Sequence, residues 1–244
     1  MTDDARTRMD IGLALLQEQT ALLLAGVEGL DDVTAPSGLP GWTRGHVLAH
    51  LAGNAEGLAR RARSVGDGVP RAMYESMETR EADIQWRAGR TANDHRDALA
   101  ATDRDLRLDL LSIPADRHSE QTELRKGITL TVEDLPLVRL QEVCIHHADL
   151  ALPSYGWSEW PGELVAWALP RVASSFAARD EFPVAWVEVD LGGGAPQRFE
   201  LTGPAGTGVS GSGAAVLAWL TGRSAGDGLL VTGVDAVPAA PAWL

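Results

Sequence analysis

Two pairs of residues, each with a four-residue spacing, could together bind a metal ion. Glu142 and His146 form one pair, and His46 and His50 form the other. If each pair lies on a helix, both of its side chains project from one face within a single turn. Glu142, His146 and one of the two earlier histidines would then form a His-Glu-His set. Imidazole and carboxylate groups suit zinc, and three protein ligands with an open fourth position are typical of catalytic zinc.

The same spacing also has a purely structural interpretation. A glutamate and a histidine four residues apart often form an ion pair on a solvated helix, and His46 is placed to lie in the first turn of its helix. Spacing alone leaves both interpretations open, and it does not decide between His46 and His50. His95 and His118 have no candidate partner at a useful spacing, so we assign them no role.

Cys144 is the only cysteine of the chain, which excludes an intramolecular disulfide. It is two residues from Glu142 and two from His146, or about 200° around a helix from each. We therefore expect Cys144 to face away from a metal bound by those residues and to pack as a small hydrophobic side chain. A thiol used at this site would have to arrive on a cosubstrate.

Charge and hydrophobicity limit the partners of this chain. Its 34 acidic and 21 basic residues give a formal net charge of −13, whereas a nucleic-acid binder needs a basic face, so we expect no nucleic-acid partner. An anionic substrate would need locally positive groups, from a metal ion or from arginines. Polar residues interrupt the apolar stretches at residues 13–16 and 21–27, so we expect no membrane partner. The acidic start lacks a signal-peptide pattern, which indicates a cytoplasmic location.

The candidate ligands require helices that hold them in place. Hydrophobic periodicity predicts a first helix over residues 9–27, a second from an N-cap at Thr43 to about Ser64, a third region over residues 79–111 with a break near Gly89, and a fourth from Pro136 to about Leu150. Residues 117–131 are expected to be extended. Four such helices predict a bundle with a site built in its core.

The pattern changes after Pro153. It predicts helices over residues 163–178 and 212–220, a hairpin of strands over residues 185–191 and 198–202, and a short strand over residues 229–232. The glycine-rich run of residues 206–213 fits neither the dinucleotide fingerprint nor the P-loop, and we interpret it as a loop. The sequence therefore predicts a mainly α protein, with a metal-binding four-helix bundle over residues 1–155 and a smaller α+β domain over residues 156–244.

Several motifs resemble the mycothiol-dependent maleylpyruvate isomerase family. They are Gly-Trp-Thr-Arg-Gly-His-Val-Leu-Ala-His at residues 41–50, Glu-Val-Cys-Ile-His-His-Ala-Asp-Leu at residues 142–150, Met-Tyr-Glu-Ser at residues 73–76 followed by Arg80, and Pro-Ala-Trp-Leu at residues 241–244. The resemblance covers nearly the whole chain. It implies a DinB-like four-helix bundle followed by a small α/β domain.

The resemblance also implies a ligand set. Zinc, or another divalent metal ion, would be held by His50, Glu142 and His146, which selects the later histidine of the first pair. We expect Asp149 or Asn54 to orient one of the ligating histidines.

Two arginines receive catalytic roles from the same resemblance. The family has a functional arginine in its C-terminal domain, and here it falls on Arg223 in a Gly-Arg…Asp-Gly segment whose spacing is one residue longer. We expect Arg223 and Arg80 to hold the substrate's carboxylates and to offset developing negative charge.

The implied activity is the cis-trans isomerisation of maleylpyruvate to fumarylpyruvate, a step in gentisate catabolism, with mycothiol as the thiol cofactor. A zinc-activated thiolate would add to the double bond, the resulting single bond would rotate, and elimination would release the trans isomer. The expected partners are thus a small anionic substrate and a low-molecular-weight thiol, and we expect a monomer. The alternative is another zinc- and mycothiol-dependent S-transferase of the DinB-like superfamily. A metal-dependent hydrolase and a non-catalytic binding protein are further alternatives.

Overall fold

The computed structural model describes residues 2–125 and 127–243 and divides into two compact units, Met1–Ser154 and Tyr155–Leu244. Met1, Lys126 and Leu244 lie outside the described residues. Three parts of the sequence prediction include one of these residues. They are the extended stretch of residues 117–131, the motif at residues 241–244 and the outer ends of the two predicted domains, and at these positions they lie outside the described residues. None of the helices in the described part of the chain combines the length and hydrophobicity that a membrane crossing needs.

The described part of the first unit contains five α-helices and one β-hairpin. The helices are α1 (Thr2–Glu28), α2 (Arg44–Asp67), α3 (Met77–Ala88), α4 (Ala92–Leu111) and α5 (Leu135–Asp149), and the hairpin strands are β1 (Gln121–Arg125) and β2 (Ile128–Thr131). The chain leaves the helical conformation between α3 and α4, which confirms the break predicted near Gly89. The hairpin lies in the stretch that was predicted to be extended.

Four of these helices form a bundle. Both α1 and α2 pack against α4 and against α5, and α3 packs on the outside of α2. Leucine side chains fill the interior, and Leu48, Leu51 and Leu140 are completely buried. This arrangement confirms the predicted four-helix bundle, and it places α2 beside α5, the two helices that carry the candidate ligands.

A glycine sets the close approach of α2 and α3. A Cβ atom at Gly45 would lie 2.0 Å from the carbonyl oxygen of Ala88, the last residue of α3. The Gly45 N–H also donates to the carbonyl oxygen of Val33 at 2.7 Å. Only glycine lets the first turn of α2 lie directly against the end of α3, so this contact fixes α3 beside the start of the ligand-bearing helix.

The described part of the second unit combines two helices with a four-stranded sheet. The helices are α6 (Gly162–Ala177) and α7 (Gly213–Leu220), and the strands are β3 (Trp186–Asp190), β4 (Gln197–Glu200), β5 (Gly208–Ser212) and β6 (Leu230–Thr232). The strand order is β4-β3-β5-β6, with β3 and β5 parallel and the other two pairs antiparallel. The hairpin of β3 and β4 confirms the pairing predicted from the sequence.

The interpretation of residues 206–213 as a loop is wrong. Strand β5 occupies most of this run and lies between β3 and β6. Its glycines meet close neighbours, since a Cβ atom at Gly208 would lie 2.1 Å from the indole ring of Trp186, and one at Gly211 would lie 2.6 Å from Leu229. These glycines make room for the side chains of adjacent segments, and they do not form the loop that the sequence suggested.

Candidate metal centre

Three side chains from two helices converge in the first unit. His50 comes from the middle of α2, and Glu142 and His146 come from one face of α5. His50 Nε2 lies 2.9 Å from Glu142 Oε2, and His146 Nε2 lies 3.6 Å from the same oxygen. One donor atom of each residue lies within 4.8 Å of the other two. The structure thus brings together the three residues that the resemblance implied as ligands.

The donor set fits a zinc ion. Two ligand atoms bound at about 2.0–2.1 Å in a tetrahedral arrangement lie about 3.3 Å apart, and the separations of 2.9 and 3.6 Å fall on either side of that value. Two imidazole nitrogens and a carboxylate oxygen are the donor types of catalytic zinc sites. Among the described side chains, those of residues 7–124 and 127–243, no other group of three histidine, cysteine, aspartate or glutamate residues meets the same spacing.

Asp149 orients the ring of His146. The Asp149 carboxylate oxygen Oδ2 lies 2.8 Å from His146 Nδ1, and because a carboxylate only accepts, the ring hydrogen is on Nδ1. The lone pair of His146 Nε2 is therefore free to bind a metal on the side of Glu142. Asn54, the other residue expected in this role, accepts a hydrogen bond from Arg139 at 2.9 Å.

Aromatic rings confine His50 on two sides. The His146 ring meets the His50 ring edge to face, with centroids 4.5 Å apart, and the Trp42 indole lies 5.7 Å away in a similar orientation. Such contacts limit rotation of the imidazole without using its nitrogens. The sequence analysis gave Trp42 no specific role, although its place within the first family motif was a signal for one.

Arg139 is a buried cation next to the site. It is 1% exposed, and its Nη1 donates to the carbonyl oxygen of Leu51 and to Asn54, both at 2.9 Å. No function was assigned to Arg139 from the sequence. The sequence did contain a signal that Arg139 is buried and paired, because it is the one arginine in the largely apolar first turns of α5. A charge is buried only where polar partners compensate it.

The electrostatics of the site favour metal binding at neutral pH. Burial alone would raise the pKa of Glu142, but the hydrogen bond from His50 and the nearby positive charges lower it to about 2. Burial and the charge of His146 lower the pKa of His50 to about 4, against the opposing effect of Glu142. At pH 7 His50 is therefore neutral and Glu142 is ionised. An ionised carboxylate beside a neutral imidazole is the protonation state that a metal ion requires.

His46 has a structural place in the helix start. Its Nδ1 lies 3.2 Å from the Thr43 backbone nitrogen and 2.7 Å from the Thr43 hydroxyl, while the hydroxyl accepts from the His46 backbone N–H. The other ring nitrogen contacts Gln85 Oε1 at 3.1 Å. His46 therefore takes part in the N-terminal cap of α2 and lies outside the three-residue cluster.

Cys144 packs on the α1 side of α5. Its side chain is fully buried, and its Sγ lies 3.6 Å from Gln19 Oε1 on α1. This placement confirms the expectation that Cys144 faces away from the candidate ligands and packs as a small side chain.

Arg80 reaches the site from α3. Its Nη2 lies 2.8 Å from His50 Nδ1, and its guanidinium carbon lies 5.6 Å from the centre of the Tyr74 ring. Beside it is a small open pocket, which we call the α2–α3 pocket. Its lining residues are Ala49, His50, Gly53, Glu56, Arg60, Tyr74, Arg80, Asp83 and Ile84. Arg80 is thus placed to meet a ligand beside the metal ligands, and its catalytic role stays a prediction.

Arg223 belongs to the second unit, in the segment that follows α7. Its backbone N–H donates to the carbonyl oxygen of Ala218 at 2.7 Å, and its guanidinium donates to the carbonyl oxygen of Thr221. These contacts hold the arginine close to the end of α7. Its role with a substrate stays a prediction.

Residues 13–151 match the family model of the mycothiol maleylpyruvate isomerase N-terminal domain. The chain belongs to this family. The match covers more than half of the chain, and it includes all three candidate ligands and Arg80. The mycothiol maleylpyruvate isomerase N-terminal domain is therefore the part of the protein that carries the cluster.

Two solved structures are similar to the chain. They are crystal structures of the mycothiol-dependent maleylpyruvate isomerase and of a histidine-to-alanine mutant of it. Each match has a TM-score of 0.86 at 22% sequence identity and covers 96% of this chain and 97% of the solved chain. At this identity the similarity shows the fold, and it confirms a helical bundle followed by a small α/β domain. No curated protein sequence matches the chain.

Proposed function

We propose that this protein is a mycothiol-dependent isomerase that converts maleylpyruvate to fumarylpyruvate. One observation carries the proposal: the donor atoms of His50, Glu142 and His146 converge within 4.8 Å of one another. Membership of the mycothiol maleylpyruvate isomerase N-terminal domain family supports it, as does the fold shared with a protein named for that activity. The metal would be zinc or another divalent ion, and mycothiol would be the thiol.

The three ligands suit an activated thiol. When bound here, zinc would supply a Lewis acid that keeps a coordinated thiol deprotonated, so that its sulfur can add reversibly to an electron-poor double bond. His50, Glu142 and His146 would hold the metal through two imidazoles and one carboxylate, and three such ligands would leave a position for the sulfur. The contact of Asp149 with His146 and the rings around His50 hold the ligands in place before the metal arrives.

The α2–α3 pocket offers two arginines to an anionic substrate, beside the carboxylates of Glu56 and Asp83. Arg60 and Arg80 both line it, inside a molecule whose net charge is −13. Burial and the charge of Glu142 raise the pKa of Tyr74, so its hydroxyl stays protonated and can donate. Arg80 is proposed to bind a substrate carboxylate, and Arg223 is proposed as a second arginine for the same substrate. Place in gentisate catabolism, a cytoplasmic location and a monomeric state remain predictions from the sequence.

The test is the fate of the thiol. Zinc-loaded protein is incubated with maleylpyruvate and a catalytic amount of mycothiol, and both fumarylpyruvate and free thiol are measured. An isomerase converts all of the substrate while the thiol concentration stays constant. Consumption of one thiol per substrate would establish an S-transferase instead, and cleavage of maleylpyruvate by water without any thiol, with no fumarylpyruvate formed, would establish a hydrolase. The Glu142→Gln variant is the matched control, because it removes one ligand charge and leaves the side-chain shape nearly unchanged.

A further inference from the structure

The two hydrogen-bonding partners of His50 require the same tautomer of its ring. Arg80 Nη2 lies 2.8 Å from Nδ1, and since a guanidinium only donates, Nδ1 must accept. Glu142 Oε2 lies 2.9 Å from Nε2, and since an ionised carboxylate only accepts, Nε2 must carry the hydrogen. Both contacts therefore select a neutral ring with its hydrogen on Nε2.

A metal ion in the cluster requires the opposite tautomer of His50. The nitrogen that faces Glu142 is Nε2, so it is this atom that would bind the metal through its lone pair. The ring hydrogen then moves to Nδ1, where it would point at the guanidinium of Arg80. Two donors would face each other with no acceptor between them, and a hydrogen bond at that position is lost.

His146 needs no such change. Its Nδ1 faces the carboxylate of Asp149 at 2.8 Å, an acceptor that keeps the hydrogen on Nδ1 with or without a metal. The conflict therefore concerns one contact of the cluster, that of Arg80 with His50.

From this conflict we infer that Arg80 and the metal ion compete for His50, so that metal binding releases the Arg80 guanidinium into the α2–α3 pocket, where it can bind a carboxylate. The inference rests on the proposed metal site. It couples metal binding to recognition of an anionic substrate, two steps that the proposed function leaves independent of each other.

The two acidic residues of the pocket share another arginine, which weakens their competition for the released guanidinium. Glu56 and Asp83 are the acidic residues among those lining the pocket. Arg87 contacts Glu56 at 2.8 and 3.2 Å and Asp83 at 2.8 Å. A released Arg80 would therefore be available to the carboxylate of a bound substrate, while Arg87 holds Glu56 and Asp83. The anion site of the pocket becomes complete only once the metal is bound.

The first test observes the tautomer directly. Long-range proton–nitrogen NMR spectra are recorded on metal-free protein labelled with ¹⁵N-histidine at about pH 7.5, where an ordinary histidine is neutral. A His50→Gln variant assigns the His50 signals. We expect a protonated Nε2 and an unprotonated Nδ1 before zinc is added, and a hydrogen on Nδ1 afterwards. A hydrogen on Nδ1 in the metal-free protein would overturn the inference whether or not zinc binds.

The second test measures zinc affinity by competition with a chromogenic chelator. The Arg80→Met variant should bind zinc about tenfold more tightly than the unaltered protein, which corresponds to about 1.4 kcal/mol. Arg60→Met is the matched control, because Arg60 lines the same pocket and carries the same charge but donates to the carbonyl oxygen of Met73. Its affinity should change less than about threefold, since distant charges in solvent interact weakly.

The outcomes separate the two proposals. Equal affinities of Arg80→Met and the unaltered protein, or an equal gain in both arginine variants, would overturn the competition and leave the metal site in place. Failure of all three proteins to bind zinc would overturn the metal site itself.

Discussion

Glu142 is the residue on which the candidate site depends most. Its carboxylate faces His50 and His146, and the buried charge of Arg139 favours its ionised form. The four-residue spacing within α5 was enough to predict that Glu142 and His146 share a face. Spacing could not decide between His46 and His50, because both lie on one face of α2. One of the contacts that hold His46, that with Gln85, comes from another helix.

Removal of the Glu142 charge should abolish zinc binding and isomerase activity together. Glu142→Gln loses the ionised ligand, and we expect zinc affinity to fall by at least about 100-fold. Metal content after dialysis and turnover of maleylpyruvate measure the two effects. Glu163→Gln, an exposed change on α6, is the control. A Glu142→Gln protein that keeps both its zinc and its turnover would contradict the ligand assignment.

Asp149→Asn should weaken zinc binding without unfolding the protein. The amide can turn an N–H toward His146 Nδ1 and so favour the wrong tautomer, where the carboxylate now accepts at 2.8 Å. We expect zinc affinity to fall by about 10–100-fold, measured by chelator competition, with an unchanged circular dichroism spectrum. Unaltered affinity would show that Asp149 has no part in orienting His146.

Cys144→Ala should keep zinc binding and most of the activity. The thiol is fully buried against α1, on the side of Gln19, so its loss leaves a small cavity and costs about 1 kcal/mol of stability. Turnover and a denaturant titration measure the two quantities. Complete loss of turnover in a folded Cys144→Ala protein would mean that the thiol takes part in the reaction.

At the scale of elements, the start of α2 decides where His50 lies. Gly45 brings the first turn of α2 against the last residue of α3, and His50 lies little more than one turn further along α2. The position of α3 in turn places Arg80 beside His50. The sequence predicted both helices, but it gave no sign of their contact, because a close backbone approach leaves no periodic pattern.

Two glycine substitutions on α2 should have opposite effects. A Cβ atom at Gly45 meets the Ala88 carbonyl oxygen at 2.0 Å, whereas one at Gly53 meets nothing within 4 Å. We expect Gly45→Ala to destabilise the protein by about 3 kcal/mol through overpacking. Gly53→Ala should stabilise it by up to about 1 kcal/mol through helix propensity. Denaturant unfolding measures both, and similar effects of the two changes would refute the close approach.

Strand β5 shows the limit of sequence reasoning about elements. Alternation of apolar and polar residues identified β3 and β4 correctly, since one face of each is set by ordinary side chains. In β5 the strand is formed by glycines and serines that accommodate Trp186 and Leu229. The information that makes this run a strand therefore lies in its neighbours.

For the whole molecule, buried histidines should make the metal-free protein sensitive to acid. Burial and the charge of His146 lower the pKa of His50 to about 4, and burial lowers the pKa of His147 to about 4 as well. Between about pH 6.5 and pH 4 the unfolded chain binds protons that the folded protein does not, so stability falls as the pH falls. Each histidine contributes roughly 3 kcal/mol at most.

Denaturant midpoints between about pH 4 and pH 7.5 measure this loss. His147→Gln removes one of these buried histidines and should reduce the loss by up to about 3 kcal/mol, compared with its own stability at neutral pH. A midpoint that stays constant over this range would contradict the buried, neutral state of both histidines.

The candidate ligands lie far apart in the chain, since His50 and Glu142 are 92 positions from each other. A nascent polypeptide that ends after α4 contains only one of the three candidate ligands, His50. In a folding intermediate whose α5 is not yet packed against α2, His50 remains apart from Glu142 and His146. Binding of the ion would therefore require α5 to be synthesised and packed against α2, both during translation and during refolding in vitro.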